Sequence, residues 1–304
     1  MSRIWKRRLL AALAVVLILP AGLFALNSLV LADRTAPRMR HLADLPVVPS
    51  ASGPGEVTIV AYNVAKGFAH KGGVRFESRA TVEAKVRRMA EVVRAERPDF
   101  VFLSEALTEC APCPVDQVEL IARECGLPFV ATGENYNVGV PFVRVVGGNA
   151  VLARTPLAAV ANIDLAGRKP FYVTGNNRRA LVVSAEIGGQ AVLLAALHND
   201  SFDMRNNEAQ ARQLLEYVGD RPAVVAGDFN NRPGERSMRA FRESGKFGGA
   251  FDGPPTFFEG DRKERLDYVL VPPAWELLDH RVVPDDTSDH RPLVCRFRVT
   301  RATP

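Results

Sequence analysis

The chain has 304 residues, 47% hydrophobic and 24% charged, a globular composition that excludes a disordered or collagen-like polypeptide. That length supports one large domain or two small ones with a full core. The formal net charge of +5 hints at a nucleic-acid partner, but Arg3, Lys6, Arg7 and Arg8 precede the first acid. From residue 33 onward 35 bases face 34 acids, so bulk charge gives no claim on a polyanion beyond a local patch.

The basic start Met-Ser-Arg-Ile-Trp-Lys-Arg-Arg leads into an uncharged run from Leu9 to Ala32. The run exceeds the roughly 7–15 residues of a signal-peptide core and reaches the roughly 20 that a bilayer span requires. Its cationic flank retains the N-terminus in the cytoplasm and sends the rest across. Residues 1–32 therefore read as a transmembrane anchor. A cleaved signal peptide is the alternative, because Val30-Leu31-Ala32 offers a cleavage site and Pro20 and Asn27 weaken the span. Both readings place the remainder outside the cytoplasm: membrane-anchored in the first, secreted or periplasmic in the second. Residues 33–55 lose periodicity and carry Pro37, Pro46, Pro49 and Pro54, which reads as a Pro-rich linker. Residues 56–304 read as one folded, monomeric domain.

Within it, Val-, Leu- and Phe-rich runs predict strands over 57–62, 99–104, 148–153, 179–187, 191–197, 222–227, 265–271 and 292–299. A helix is predicted over 77–96, with Val82, Val86, Met89 and Val93 as its buried stripe and Arg87, Arg88, Glu91 and Arg94 as its solvated face. A second, over 206–218, buries Ala211, Leu214, Leu215 and Val218 and is closed by Gly219 and Pro222. Many strands with few helices predict an α/β fold of two packed mixed β-sheets flanked by helices.

Three of the four cysteines, Cys110, Cys113 and Cys125, lie close together. In an oxidising compartment a local disulfide among them is expected, with three pairings open, while Cys295, in an apolar run, reads as a buried thiol. Cys110-Ala-Pro-Cys113 has zinc-knuckle spacing, but no second pair or nearby histidine completes a site.

The informative feature is what stands at the strand ends. Asn63, Glu105, His198, Asp228 with Asn230, Asp267, and Ser288-Asp289-His290 each terminate or open an apolar run. Any one alone is a cap, a turn residue or a solvated acid. Together they supply carboxylates, amides and imidazoles in the pattern of a catalytic site. His41, His70 and His280 fall outside this set.

With Gly-Asn149-Ala-Val-Leu-Ala-Arg-Thr-Pro, Leu-His198-Asn-Asp, Gly-Asp228-Phe-Asn230, Leu-Asp267-Tyr and Ser-Asp289-His290 in this order, the sequence resembles the endonuclease/exonuclease/phosphatase superfamily over about 57–299. The resemblance implies a DNase I-like α/β sandwich and a metal-dependent phosphoesterase. It makes Glu105 the principal ligand of Mg2+, with Mn2+ as the alternative, and places Asn63 and Asp289 at positions that hold the metal directly or through water. Hard oxygen donors suit such an ion. By the same resemblance Asp228 orients or deprotonates the attacking water and Asn230 fixes Asp228 and touches the phosphate. His290, oriented by Asp267, matches the family's phosphate-binding or base-like histidine, the pairing favouring its cationic form; His198 donates to a phosphate oxygen; and Asn149 supports the site from behind. Ala65 stands where some nucleases of the superfamily carry a further metal-associated aspartate, and the Trp and Arg flanking the Gly-Asp-x-Asn strand of inositol phosphatases are absent. Arg178 and Arg179 have two readings, as phosphate contacts or as basic residues opening a strand. The expected substrate is a phosphodiester, of nucleic acid or of a phospholipid head group. The alternatives are a phosphomonoester and a non-catalytic envelope binding module of the same fold.

Overall fold

The computed structural model describes residues 3–32, 35–50, 52–68, 77–167 and 178–300. His70 lies outside them. A helix, α1 (Arg3–Ala25), precedes fifteen strands: β1 (Arg38–His41), β2 (Glu56–Asn63), β3 (Phe100–Cys110), β4 (Phe129–Val140), β5 (Val143–Ala153), β6 (Ala158–Asp164), β7 (Arg179–Ile187), β8 (Gln190–His198), β9 (Ala223–Asp228), β10 (Gly248–Gly249), β11 (Phe257–Glu259), β12 (Arg262–Glu264), β13 (Asp267–Val271), β14 (Glu276–Val282) and β15 (Leu293–Arg298). Four further helices join them: α2 (Arg79–Ala95), α3 (Gln117–Cys125), α4 (Met204–Val218) and α5 (Arg236–Glu243).

The strands form a seven-stranded sheet, ordered β1-β4-β5-β3-β2-β15-β14, and a six-stranded sheet, ordered β10-β13-β9-β8-β7-β6, with β11 and β12 as a separate hairpin. Among the described residues only β2–β3 and β8–β9 are parallel, and these are the pairs joined through α2 and α4, because a parallel connection needs a crossover. Both sheets are therefore mixed, as expected. Their central strands are buried on both faces, which explains why β2 and β9 read as continuous apolar runs. Alternate residues face opposite sides. Ile59, Phe102, Leu194 and Val224 fill the space between the sheets, while Val60, Val101 and Leu103 pack under Val82, Val86 and Met89 of α2. On the other sheet Val225 and Leu197 pack under Ala211 and Leu214 of α4.

All eight predicted strands exist, and both predicted helices form within two residues of the expected ends. Ser78 caps α2 by accepting from the Thr81 amide at 3.2 Å. Leu215 is only half-buried.

Two expectations need correction. The linker over 33–55 is not a free tether: β1 pairs antiparallel with β4, from Arg38 opposite Thr132 to His41 opposite Phe129, and edges the large sheet. The His41 ring stacks on Phe129 at 4.7 Å, and Ser52 Oγ donates to Asp99 at 2.6 Å. Secondly, all four cysteines are free and buried. Cys125 directs its thiol at the Ala90 carbonyl of α2, 3.5 Å away, whereas the Cys113 amide donates to the Cys110 carbonyl at 3.1 Å. Burial pushes the Cys113 and Cys125 thiols up to about 12, so both are protonated and unreactive as thiolates. Cys295 is a buried thiol, as expected.

The apolar N-terminal run also divides. Helix α1 is long and apolar enough to cross a bilayer by length and composition. Leu26–Leu31 then makes a wider helical turn against β4, where Asn27 is buried and donates to Asn137 Oδ1 at 3.0 Å. Asn27 thus serves the contact with the sheet and lies beyond the end of α1.

Candidate active site

The ends of β2, β8 and β9, the start of β13 and the middle of β3 converge on a cleft of about 510 Å³; Glu105 does not end its strand as expected, because β3 runs on to Cys110 past a bulge. Asn63, Glu105, His198, Asp228, Asn230, Asp289 and His290 line it, so all but two of the residues expected from the sequence meet in one place. The other two lie directly behind. Asp267 accepts from His290 at 2.7 Å, and Asn149 donates to the carbonyls of Arg179 at 2.8 Å and Ala196 at 3.2 Å, tying β5 to the second sheet.

Local backbone devices aim these side chains. Glu105 sits where the β3–β5 register slips between Leu103 and Ala106, with φ +56. A bulge redirects the side chain, and a left-handed conformation is unfavourable for a residue other than glycine. Two more such residues follow β2, Ala65 at φ +45 and Lys66 at φ +59. Asn63 Oδ1 accepts from the Ala65 amide at 3.0 Å and Gln117 Nε2 donates to the Lys66 carbonyl at 2.6 Å, which pins this turn. The Lys66 ammonium then lies on the Glu105 carboxylate as an ion pair.

Asp228 ends β9 at the centre of a hydrogen-bond network. It accepts from Asn63 Nδ2 at 3.0 Å and from the Asn230 amide at 2.9 Å, with His198 Nε2 at 3.5 Å and His290 Nε2 at 3.7 Å. Asn230, at φ +46, donates through Nδ2 to the Asn199 carbonyl at 3.1 Å. Gly227 before it adopts φ +134, and a Cβ there would collide with the Leu197 carbonyl of the parallel neighbour. Gly227→Ala is therefore expected to cost about 3 kcal/mol or more, read as a lower urea midpoint.

The two imidazoles are set apart by their surroundings. Burial lowers the pKa of His198, and Arg178 lowers it further, to about 3, so that ring is neutral. Burial also works against the His290 cation, but Asp267 and Asp228 outweigh it and raise its pKa to about 10, so that ring is charged. Burial raises the Asp228 carboxyl against the pull of His290 and His198. Burial would raise Glu105 as well, yet Lys66 and His198 bring it to about 2. Asp289 is raised, first by burial and, against His290, by the charge of Glu105.

Two places could hold a cation. Asp228, Asp267 and His290 each offer a ligand-type atom, all within 4.8 Å of one another. His290 is cationic there and gives Nδ1–H to Asp267, so the cluster already holds its own positive charge. At Glu105 the donors are hard oxygens of two like-charged carboxylates, Glu105 and Asp289, with the Asn63 amide beside them, and the Lys66 ammonium supplies the compensating charge. That donor set fits Mg2+ or Mn2+, and an ion bound there would compete with the Lys66 ammonium for Glu105.

Sequence reasoning did not single out Lys66, though its position three residues beyond Asn63, next to the departure at Ala65, was a usable signal. Nor did it find the charged rim, where Glu264 is paired with Arg232 and Arg262. Arg178 and Arg179 separate. Arg179 is buried and donates to the Asn162 carbonyl at 3.0 Å, a structural role. Arg178 donates to Ser201 Oγ at 3.1 Å and lies within the field of Glu105 and Asp228.

Two sheets packed face to face, with this polar cluster across one end, define the DNase I-like class of α/β sandwich. The chain belongs to the Endonuclease/Exonuclease/phosphatase family, whose model matches residues 60–290. The search of curated proteins returned no match. Among solved structures it is similar to an endonuclease/exonuclease/phosphatase from Beutenbergia cavernae, at 22% identity over 80% of this chain and 72% of that one, with a TM-score of 0.64. The human Nocturnin catalytic domain with bound sulfate matches at 19% identity over 86% and 96%, TM-score 0.57. Sphingomyelinase C from Streptomyces griseocarneus matches at 18% over 79% and 99%, TM-score 0.52. At these identities the likeness is one of fold.

Proposed function

We propose that the protein is a metal-dependent phosphodiesterase acting outside the cytoplasm, tethered by α1. The observation that carries the reading is the convergence of Glu105, Asp228, His198 and the Asp267–His290 pair on one cleft, within the family just given. Glu105, Asp289 and Asn63 would hold Mg2+ or Mn2+. When bound, the ion supplies positive charge at the phosphorus and acidifies water. Asp228, kept in place by Asn63 and Asn230, takes the proton of the attacking water. His290 presents Nε2–H as a cation to a phosphate oxygen, and neutral His198 donates a second hydrogen bond to the developing charge. Asp267 orients His290, and Asn149 holds the two sheets in register behind the site. Arg178 and Lys66 add positive charge on the substrate side.

Competition between lysine and metal has a direct reading. In the Lys66→Met variant Mg2+ is expected to bind severalfold tighter by calorimetry; unchanged affinity would mean that the ammonium and the metal do not share Glu105. The function itself is tested with the purified full chain in detergent, with Mg2+ or with chelator, on plasmid DNA, RNA, sphingomyelin and a small phosphodiester. Hydrolysis that persists in chelator would remove the metal from the proposal. Inactivity of well-folded protein on every ester would favour the binding-module alternative.

A further inference from the structure

We infer that the catalytic cleft faces the bilayer, with the β4–β5 hairpin tip seated in the near leaflet, so that the substrate is a phosphodiester presented at a lipid surface. This rests on reading α1 as a membrane span and on the phosphodiesterase assignment above. Three separate features point the same way.

The first is the turn itself. Pro141-Phe142 joins β4 to β5, and Phe142 is 95% exposed at φ +70, a position in a tight turn that normally takes Gly or Asn. An aromatic side chain there carries both a backbone penalty and an exposed apolar surface, and neither helps a soluble fold. Val143 beside it is also exposed. A partner that buries apolar side chains accounts for both residues.

The second is the exit of α1. Leu23 and Phe24, in its last turn, are half-buried, the helix and the wider turn after it contact β4, and Asn27 is bonded to Asn137, three residues before the tip residue Val140. The apolar helix therefore leaves the domain from the end where the hairpin tip stands.

The third is the direction of the strands. From Glu105, β3 continues to Cys110, which pairs with Val145 near the tip. The tip, three residues past Val145, thus projects roughly 25 Å beyond the catalytic glutamate on the side toward which β2 and β3 end. On the same side, Phe202, 87% exposed, follows His198 and lines the cleft mouth. Helix, tip and mouth share one end of the sandwich, and a bilayer is the partner already joined to that end through α1.

The test uses the full chain in lipid nanodiscs of phosphatidylcholine and phosphatidylglycerol at about 3:1, with a fraction of lipid carrying a nitroxide on its head group. In a Trp5→Phe background, where buried Trp275 gives a constant signal, single tryptophans are placed by Phe142→Trp, Val143→Trp, Phe202→Trp and, at the opposite end of β7, Glu186→Trp. Quenching by roughly half or more is expected at 142, 143 and 202, and less than about a tenth at 186. Comparable quenching at 142 and 186, or none at 142 and 143, would overturn the tip's insertion. An unquenched tryptophan at 202 beside a quenched one at 142 would overturn the facing of the cleft. Because no hydrolysis is read, failure here leaves the phosphodiesterase reading standing, and inactivity in the ester assays leaves this orientation standing.

Discussion

Replacing Asp228 by asparagine is expected to lower kcat on a small phosphodiester about a thousandfold while the fold survives. The amide keeps one oxygen to accept from Asn63 or from the Asn230 backbone, both within 3.0 Å of the native carboxylate. It cannot take a proton, and its NH2 turns a donor toward imidazoles that face an acceptor in the native site, His198 at 3.5 Å and His290 at 3.7 Å. Because burial disfavours the Asp228 charge, its removal relieves a desolvation cost, and the melting temperature should hold or rise. A variant with kcat within tenfold of wild type would remove Asp228 from water activation. A collapse of the melting temperature would make any loss of activity uninformative, and Asn230→Ala would then be the variant to measure.

The second large effect is expected at Asp267, the proposed positioning residue of His290. Asp267→Ala leaves a buried imidazole without the carboxylate 2.7 Å from Nδ1, and burial then pulls the ring toward its neutral form. About a hundredfold loss of kcat is expected, together with about 3 kcal/mol of stability for breaking a buried pair. Since the folded pKa of His290 is raised to about 10, the stability it contributes is complete below its unfolded pKa and is lost as the pH rises through about 10. The gap in urea midpoint between wild type and Asp267→Ala should therefore narrow above that pH. A merely structural role for Asp267 would leave the nitrogen chemical shifts of the His290 ring at neutral pH unchanged; loss of the imidazolium signature is the expected result.

Much of this site was legible because Asn63, His198 and Asp228 end strands whose two faces are both buried. A run such as Ala-Val-Val-Ala-Gly before Asp228 is apolar for packing reasons, and the switch to a carboxylate marks where the chain leaves the core. The same logic hid β4. It reads Phe-Val-Ala-Thr-Gly-Glu-Asn-Tyr-Asn-Val-Gly-Val, and its Glu134, Asn135 and Asn137 are buried polar residues. Arg38 pairs with Glu134 at 2.6 Å and Asn27 donates to Asn137, both from segments read as tether and span, so no local pattern could announce the strand. Short β6 and β14 lie at or next to the sheet edges, half-solvated, and give little alternation to read. Conformations escaped as well: the left-handed backbone at Lys66 and Glu105 comes from tertiary context, and composition does not encode the ion pair it builds.

The cleft draws Glu105 and Asn63 from one sheet and His198 and Asp228 from the other, with the Asn63–Asp228 hydrogen bond as one direct crossing between them. A ligand that engages both groups binds the assembled sandwich and loses its site when the sheets part. By linkage it adds about 2.7 kcal/mol to global stability at a hundredfold excess over its Kd. Ligand occupancy and separation of the two layers are thus one coupled equilibrium, and thermal unfolding of the whole domain reports on what fills the cleft before any turnover is measured.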